Sequence, residues 1–185
     1  GSRTSWVTES TLMTARTMMA FSDAVHDQPN TAIDRMRAMG ASETSFADGG
    51  SYAAFNPALF DPGSQVTVSK MFRNGKTIYV VTFRGTELRD PRDLATDLNF
   101  KYTSMSSELS NVKVHTGFLK TANLGIQALR PYLDQIRNDP NAEVICTGHS
   151  LGGAAATIAA AQLADLGVPR AKLSVYSFGA PAVGN

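Results

Sequence analysis

The sequence predicts an α/β domain with a mainly parallel central sheet, and three observations carry that prediction. From residue 77 onward, apolar strand-like runs alternate with helical runs, the order that gives parallel strands joined by crossover helices. The run Val144-Ile145-Cys146 stops at Gly148-His149-Ser150-Leu151-Gly152-Gly153, and an alanine-rich, nearly uncharged helical run begins at once. Thr77 to Phe83 is almost continuously apolar, as a strand covered on both faces must be, and Lys172 to Phe178 reads as another apolar, parallel-type strand.

The chain has 185 residues, enough for a single domain with a real core, and no linker, repeat or low-complexity tract divides it. A formal net charge of +1 and scattered lysines and arginines give no basic stripe, so nucleic acid is not an expected partner. The one cysteine, Cys146, cannot form an internal disulfide, and its place inside a predicted strand argues against a reactive thiol. No run approaches the ~18 apolar residues of a membrane span. Gly1-Ser2 reads as the remnant of a cleaved tag, so cellular location is not written here, although export is compatible with these residues.

Residues 8 to 26 predict an amphipathic helix capped near Ser10, with Leu12, Ala15, Met19 and Ser22 on one face and Met18, Phe21 and Val25 beside it. A second helix is expected from Thr31 to Met39, closed by Gly40. Ala41 to Gly63 reads as irregular connection with one short strand near Tyr52 to Phe55. Gln65 to Phe72, the Asn74-Gly75 turn and Thr77 to Phe83 form a hairpin whose first arm is nearer a sheet edge. The second arm delivers Arg84-Gly85-Thr86, a glycine turn that can present a backbone N–H to open space.

Asp90-Pro91 opens a short helix, and Val112 to His115 is a short strand. Gly117 to Arg137 is a long helix that Gly125 and Pro131 bend or divide. Leu166-Gly167-Val168-Pro169 closes the helix after the elbow, and a parallel-type strand follows at Lys172 to Phe178.

The sequence Gly148-x-Ser150-x-Gly152 between a strand and a helix is the pattern of a nucleophile elbow. Its turn is too tight for side chains on the neighbours of the serine, hence glycine at both flanks. Ser150 is the candidate nucleophile, and the helix behind it, expected to start at Gly152, presents unpaired N–H groups to a developing oxyanion.

Five stretches in order carry a family resemblance: Phe83-Arg84-Gly85-Thr86, Asp97-Leu98, Val114-His115-Thr116-Gly117-Phe118, Gly148 to Gly153, and Phe178-Gly179-Ala180-Pro181-Ala182-Val183-Gly184-Asn185. Together they resemble the class 3 lipases, the filamentous-fungal triacylglycerol lipase type, over roughly Val66 to Asn185. The resemblance implies an α/β-hydrolase fold, with 1–64 as leading helices and connection and 65–185 as sheet, oxyanion loop, lid and elbow. It implies a serine ester hydrolase acting on a lipid ester, with Ser150 as nucleophile and Thr86 and Leu151 as oxyanion donors. Glu87, Leu88, Arg89, Asp90, Asp93 and Leu94 fall where the family keeps its lid, which makes transient contact with a lipid surface an expectation. His115 and His149 match positions that support the site, and Arg84 is expected to pair with Asp97. Ala182 departs from the arginine usual at its position, so a local ion pair is expected to be absent. No cofactor and no metal are implied.

The family's acid and base follow the serine along the chain. After Ser150 this sequence holds one carboxylate, Asp165, and no histidine. The expectation is therefore a C-terminally truncated hydrolase whose Asp and His lie beyond residue 185, inactive or very weak alone, with His115 or His149 as the fallback base. Two other readings stand beside it: a phospholipase A-type hydrolase, and an inactive hydrolase fold that binds lipid or protein. An exposed apolar edge at Lys172 to Phe178 is expected to drive self-association or recruit a complementing chain.

Overall fold

The Asn74-Gly75 pair fixes the middle of the fold. Both residues adopt positive φ, 53° and 76°, the twist a two-residue hairpin turn needs. The computed structural model describes residues 9–46, 66–84, 119, 121–149 and 151–179. Two leading helices, α1 (Glu9–Ala24) and α2 (Pro29–Ala38), precede strands β1 (Ala41–Phe46), β2 (Val66–Arg73) and β3 (Lys76–Phe83). Helix α3 covers 121–129 and runs through a 3-10 turn, Arg130–Tyr132, into α4 (Leu133–Asn138). Strand β4 (Ala142–His149), helix α5 (Leu151–Asp165), a second 3-10 turn at Arg170–Lys172 and strand β5 (Leu173–Phe178) complete the described elements.

The five strands form one sheet in chain order. β1 with β2 and β2 with β3 pair antiparallel, while β3 with β4 and β4 with β5 are parallel. The described sheet is thus mixed, and its parallel half carries the elbow. Ala41 to Phe46 corrects the expected irregular connection: the segment adds a polar strand, Ala-Ser-Glu-Thr-Ser-Phe, outside β2, so β2 is not the edge. The strand expected at Tyr52 to Phe55 and the one at Val112 to His115 lie outside the described residues. The long helix predicted at Gly117 to Arg137 is divided where Pro131 enters, because proline cannot donate into a continuing α ladder.

Alternation along the strands builds two cores. Tyr79, Val81, Phe83, Val144 and Cys146 face α3, α4 and α5, where Ile126, Leu129, Ile136 and Leu163 are buried. Val80 and Ile145 face the other way, under Met18 and Phe21 of α1, Val25 in the turn after it and Met36 of α2. Burying a side chain such as Phe21 or Leu163 contributes about 1.5–3 kcal/mol each. The expected face of α1 needs correction. Met19 is 55% exposed, and the helix turns Met18, Phe21 and Ser22 to the sheet, with Val25 buried in the turn that follows. The helix also begins at Glu9, ahead of the expected cap at Ser10.

Helix ends are tied to one another. Lys172 Nζ donates to the carbonyls of Ile136 at 2.8 Å and Asp139 at 2.6 Å, and Arg137 donates to the carbonyl of Leu166 at 2.9 Å. These bonds satisfy carbonyls that a helix leaves unpaired at its C-terminus, and they hold the start of β5 beside the end of α4.

Candidate active site

Strand β4 ends at His149 and helix α5 begins at Leu151, one residue before the expected start at Gly152. One residue, Ser150, separates the two elements. So abrupt a reversal brings the backbone of Gly148 against the backbone of Gly152, leaving no space for a Cβ on Gly148. Because the obstruction is backbone, no rotamer change relieves it. Leu151, the proposed oxyanion donor, is the first residue of a fifteen-residue helix, where backbone N–H groups lack intrahelical acceptors.

The parallel pairing of β3 with β4 sets Phe83 opposite Gly148, so both strands leave the sheet at the same end. Arg84, half-buried, is the last described residue before the loop toward Thr86. Ser150, Thr86, the lid residues Glu87 to Leu94, Asp97, His115 and the motif after Gly179 lie outside the described residues. Asp165 sits at the opposite end of α5 from the elbow, ~21 Å away at 1.5 Å per residue, and is exposed.

His149 follows Ile145 and Thr147 in alternation and so belongs to the sheet face under α1, opposite the face that α5 covers. A β-carbon on Gly179, whose φ is +61°, would lie 3.4 Å from Nε2 of His149, so the imidazole rests against that glycine. Beside it is a half-open cavity of about 180 Å³ lined by Met19, Ser22, Asp23, His26, His149 and Phe178. Phe178 is the register partner of His149.

Beneath this cavity runs a buried polar row. Thr67, Thr82 and Thr147 are register partners across β2, β3 and β4, all fully buried. Thr147 donates to the carbonyl of Tyr176 at 2.8 Å, and its oxygen lies 3.0 Å from the Ser22 hydroxyl. Thr82 Oγ1 is buried with no hydrogen-bond partner among the described residues. Asp23 and Asp27 receive the Arg35 guanidinium at 2.8 and 2.6 Å; hydrogen bonds to Asp27 and then Asp23 raise the pKa of Arg35. Sequence reasoning placed Ser22 on a packing face of α1 and did not single out Asp23 or His26 as cavity-lining residues. The available signal was a serine within an apolar stripe and an acid and a histidine spaced i,i+3.

Cys146 is fully buried in the α5-side core, and burial pushes its thiol up to about 12, which leaves it without a thiolate at neutral pH. Among the described residues there is no group of three His, Cys, Asp or Glu that could hold a metal. No described helix is long and apolar enough to cross a membrane.

A strand, a one-residue elbow and a helix at the carboxyl end of parallel strands place the chain in the α/β-hydrolase class. Solved structures agree at the level of the fold. A triacylglycerol lipase described as having a serine protease triad for its catalytic centre superposes with a TM-score of 0.52 at 15% identity, over 92% of this chain and 62% of that one. A fungal lipase in complex with an inhibitor superposes with a TM-score of 0.50 at 22% identity, over 94% and 63%.

The sequence model of the class 3 lipases matches residues 80–185, and the chain belongs to that family. The lipase of Rhizopus oryzae is 36% identical over 142 residues, covering 75% of this chain and 34% of that protein. The secreted mono- and diacylglycerol lipase 1 of Fusarium solani is 28% identical over 182 residues, 97% of this chain and 52% of that protein. The chloroplastic phospholipase A(1) DAD1 of Arabidopsis thaliana is 34% identical over 127 residues, 61% and 28%. The chain thus spans 28% to 52% of the length of these curated relatives.

Proposed function

We propose that this chain bears the nucleophile of a serine ester hydrolase acting on lipid esters of the acylglycerol type. The observation that supports this most is the one-residue turn between β4 and α5, with the Gly148 backbone seated on that of Gly152. In this reading the Ser150 hydroxyl attacks the ester carbonyl, the N–H groups of Leu151 and Thr86 bind the oxyanion, the alcohol departs, and water hydrolyses the acyl-serine. Relatives named as lipases and as a mono- and diacylglycerol lipase support an acylglycerol substrate. The relative named as a phospholipase A(1) makes phosphatidylcholine the competing substrate to assay beside tributyrin.

A serine without a neighbouring base is a weak nucleophile, and removing the base from a triad costs several orders of magnitude in rate. Within these 185 residues no histidine follows Ser150, and His149 belongs to the sheet face opposite α5. The chain alone is expected to turn over p-nitrophenyl butyrate far more slowly than the Rhizopus lipase. Prolonged treatment with an activated phosphonate ester is expected to label Ser150, as mapped by peptide mass. Label on another residue overturns the nucleophile assignment. A lipase-like rate that Ser150→Ala abolishes keeps that assignment and overturns the predicted weakness.

A further inference from the structure

We infer that the cavity between α1 and the ends of β4 and β5 is a binding site for the alcohol portion of the ester, selecting neutral alcohols that carry free hydroxyl groups. This deepens, and rests on, the assignment of Ser150 as nucleophile. The cavity opens at the carboxyl ends of parallel strands, where α/β sheets place their ligands. One wall, His149, is the residue directly before Ser150 in the chain. At about 180 Å³ it is slightly larger than an engineered cavity of ~150 Å³ that holds benzene, so a glycerol-sized group fits.

The lining chooses the chemistry. His26 and His149 supply ring nitrogens, and Asp23 supplies carboxylate oxygens, all groups that exchange hydrogen bonds with hydroxyls. Met19 and Phe178 supply apolar surface for a carbon backbone, and Met19 stands 55% exposed to receive it. No lysine or arginine lines the cavity. The charge of Asp23 is matched by Arg35 from α2, whose guanidinium is held by Asp23 and Asp27 together. A phosphate would meet a carboxylate there without a cation of its own, so phosphorylated head groups are disfavoured. A simple alkyl alcohol offers no further hydroxyl to these nitrogens and oxygens, so it forgoes the hydrogen bonds that a glycerol-like group gains.

The chain contains three histidines, so histidine ring signals in NMR spectra are few, and His26→Asn and His149→Asn assign two of them. The titration uses the full chain carrying Ser150→Ala, so that nothing is hydrolysed. Glycerol monobutyrate is expected to move the His26 and His149 signals saturably. It is expected to bind at least about fivefold more tightly than methyl butyrate, the equivalent of one net hydrogen bond. Met19→Trp, at the exposed mouth, is expected to weaken binding without unfolding the chain. The inference is overturned if neither signal moves, if methyl butyrate binds equally well, or if glycerol phosphate matches the monobutyrate. Saturable binding in a protein whose Ser150 never takes an acyl or phosphonyl group sinks the nucleophile and keeps the cavity. Ser150-dependent hydrolysis without these shifts does the reverse.

Discussion

The Ser22 hydroxyl donates to Thr147, three residues before Ser150, across a 3.0 Å bond between α1 and β4. The direction follows from proton counting: the single hydroxyl proton of Thr147 goes to the Tyr176 carbonyl at 2.8 Å, so Thr147 can only accept from Ser22. Helix, elbow strand and neighbouring strand are thereby linked in one buried relay. Thr147→Val strips the acceptor from a serine that is 2% exposed, and an unsatisfied buried hydroxyl costs about 1–3 kcal/mol. Adding Ser22→Ala removes the orphaned group. The double variant is expected to be more stable than the sum of the two single losses requires, as urea unfolding of all four proteins would show. Simple additivity would mean that the two hydroxyls do not depend on each other.

Gly125 of α3 shows how tightly the opposite face is filled. A β-carbon there would lie 2.5 Å from Cζ of Phe83 and 3.2 Å from Cγ1 of Val81. In a free helix Gly→Ala gains about 1 kcal/mol. Here overpacking, about 1–3 kcal/mol, opposes that gain and wins because the Phe83 ring is fully buried and cannot swing into solvent. Gly125→Ala is expected to lower the urea midpoint, and the same substitution in a Phe83→Leu background is expected to raise it. A raised midpoint in both backgrounds refutes the packing argument.

Two buried acids, Cys146 and Tyr79, and the partly buried Tyr132 make alkaline stability predictable. Burial raises the Cys146 thiol to about 12. It also raises Tyr79, helped by Glu43 and Asp139, and Tyr132, helped by its hydrogen bond to Glu43. Each group holds its proton more firmly when folded, so the unfolded chain releases protons first as pH rises. Their contribution is complete below the unfolded pKa values, ~8.5 for cysteine and ~10 for tyrosine, and declines above them. The urea midpoint is therefore expected to fall from about pH 8 to about pH 11, and in Cys146→Ala the fall should begin nearer pH 10. A profile identical in wild type and Cys146→Ala would exclude the thiol as a contributor.

Local chemistry made much of this fold legible. The hairpin followed from Asn74-Gly75 and the elbow from glycines within two residues of Ser150, because both turns depend on their own residues alone. β1 was not legible: its Ser42, Glu43 and Thr44 are polar, and what makes it a strand is backbone pairing with β2. The choice of Met18 over Met19 on α1 was equally hidden, since both fit an apolar stripe and only docking on Val80 and Ile145 decides between them. The same limit applies to the site. The elbow was written in one stretch of sequence, whereas the cavity needs α1, β4 and β5 side by side, a tertiary juxtaposition no local pattern records.

The edge of the sheet supplies a last test. Among the described residues β5 pairs with β4 alone, and the hydrogen-bonding groups on its other side face no described strand. Val175 is 39% exposed on this strand, and Leu173 and Tyr176 are only partly covered. An edge strand with apolar side chains and no charge of its own is a template for another strand, which natural edges block with lysine or proline. The chain is expected to associate as its concentration rises, with light scattering showing a mean mass above the 19.7 kDa of one copy. Val175→Lys places a charge in the centre of the edge without touching the elbow, and is expected to return the protein toward single copies. A wild-type chain that stays at 19.7 kDa at every concentration would show that this edge is already covered.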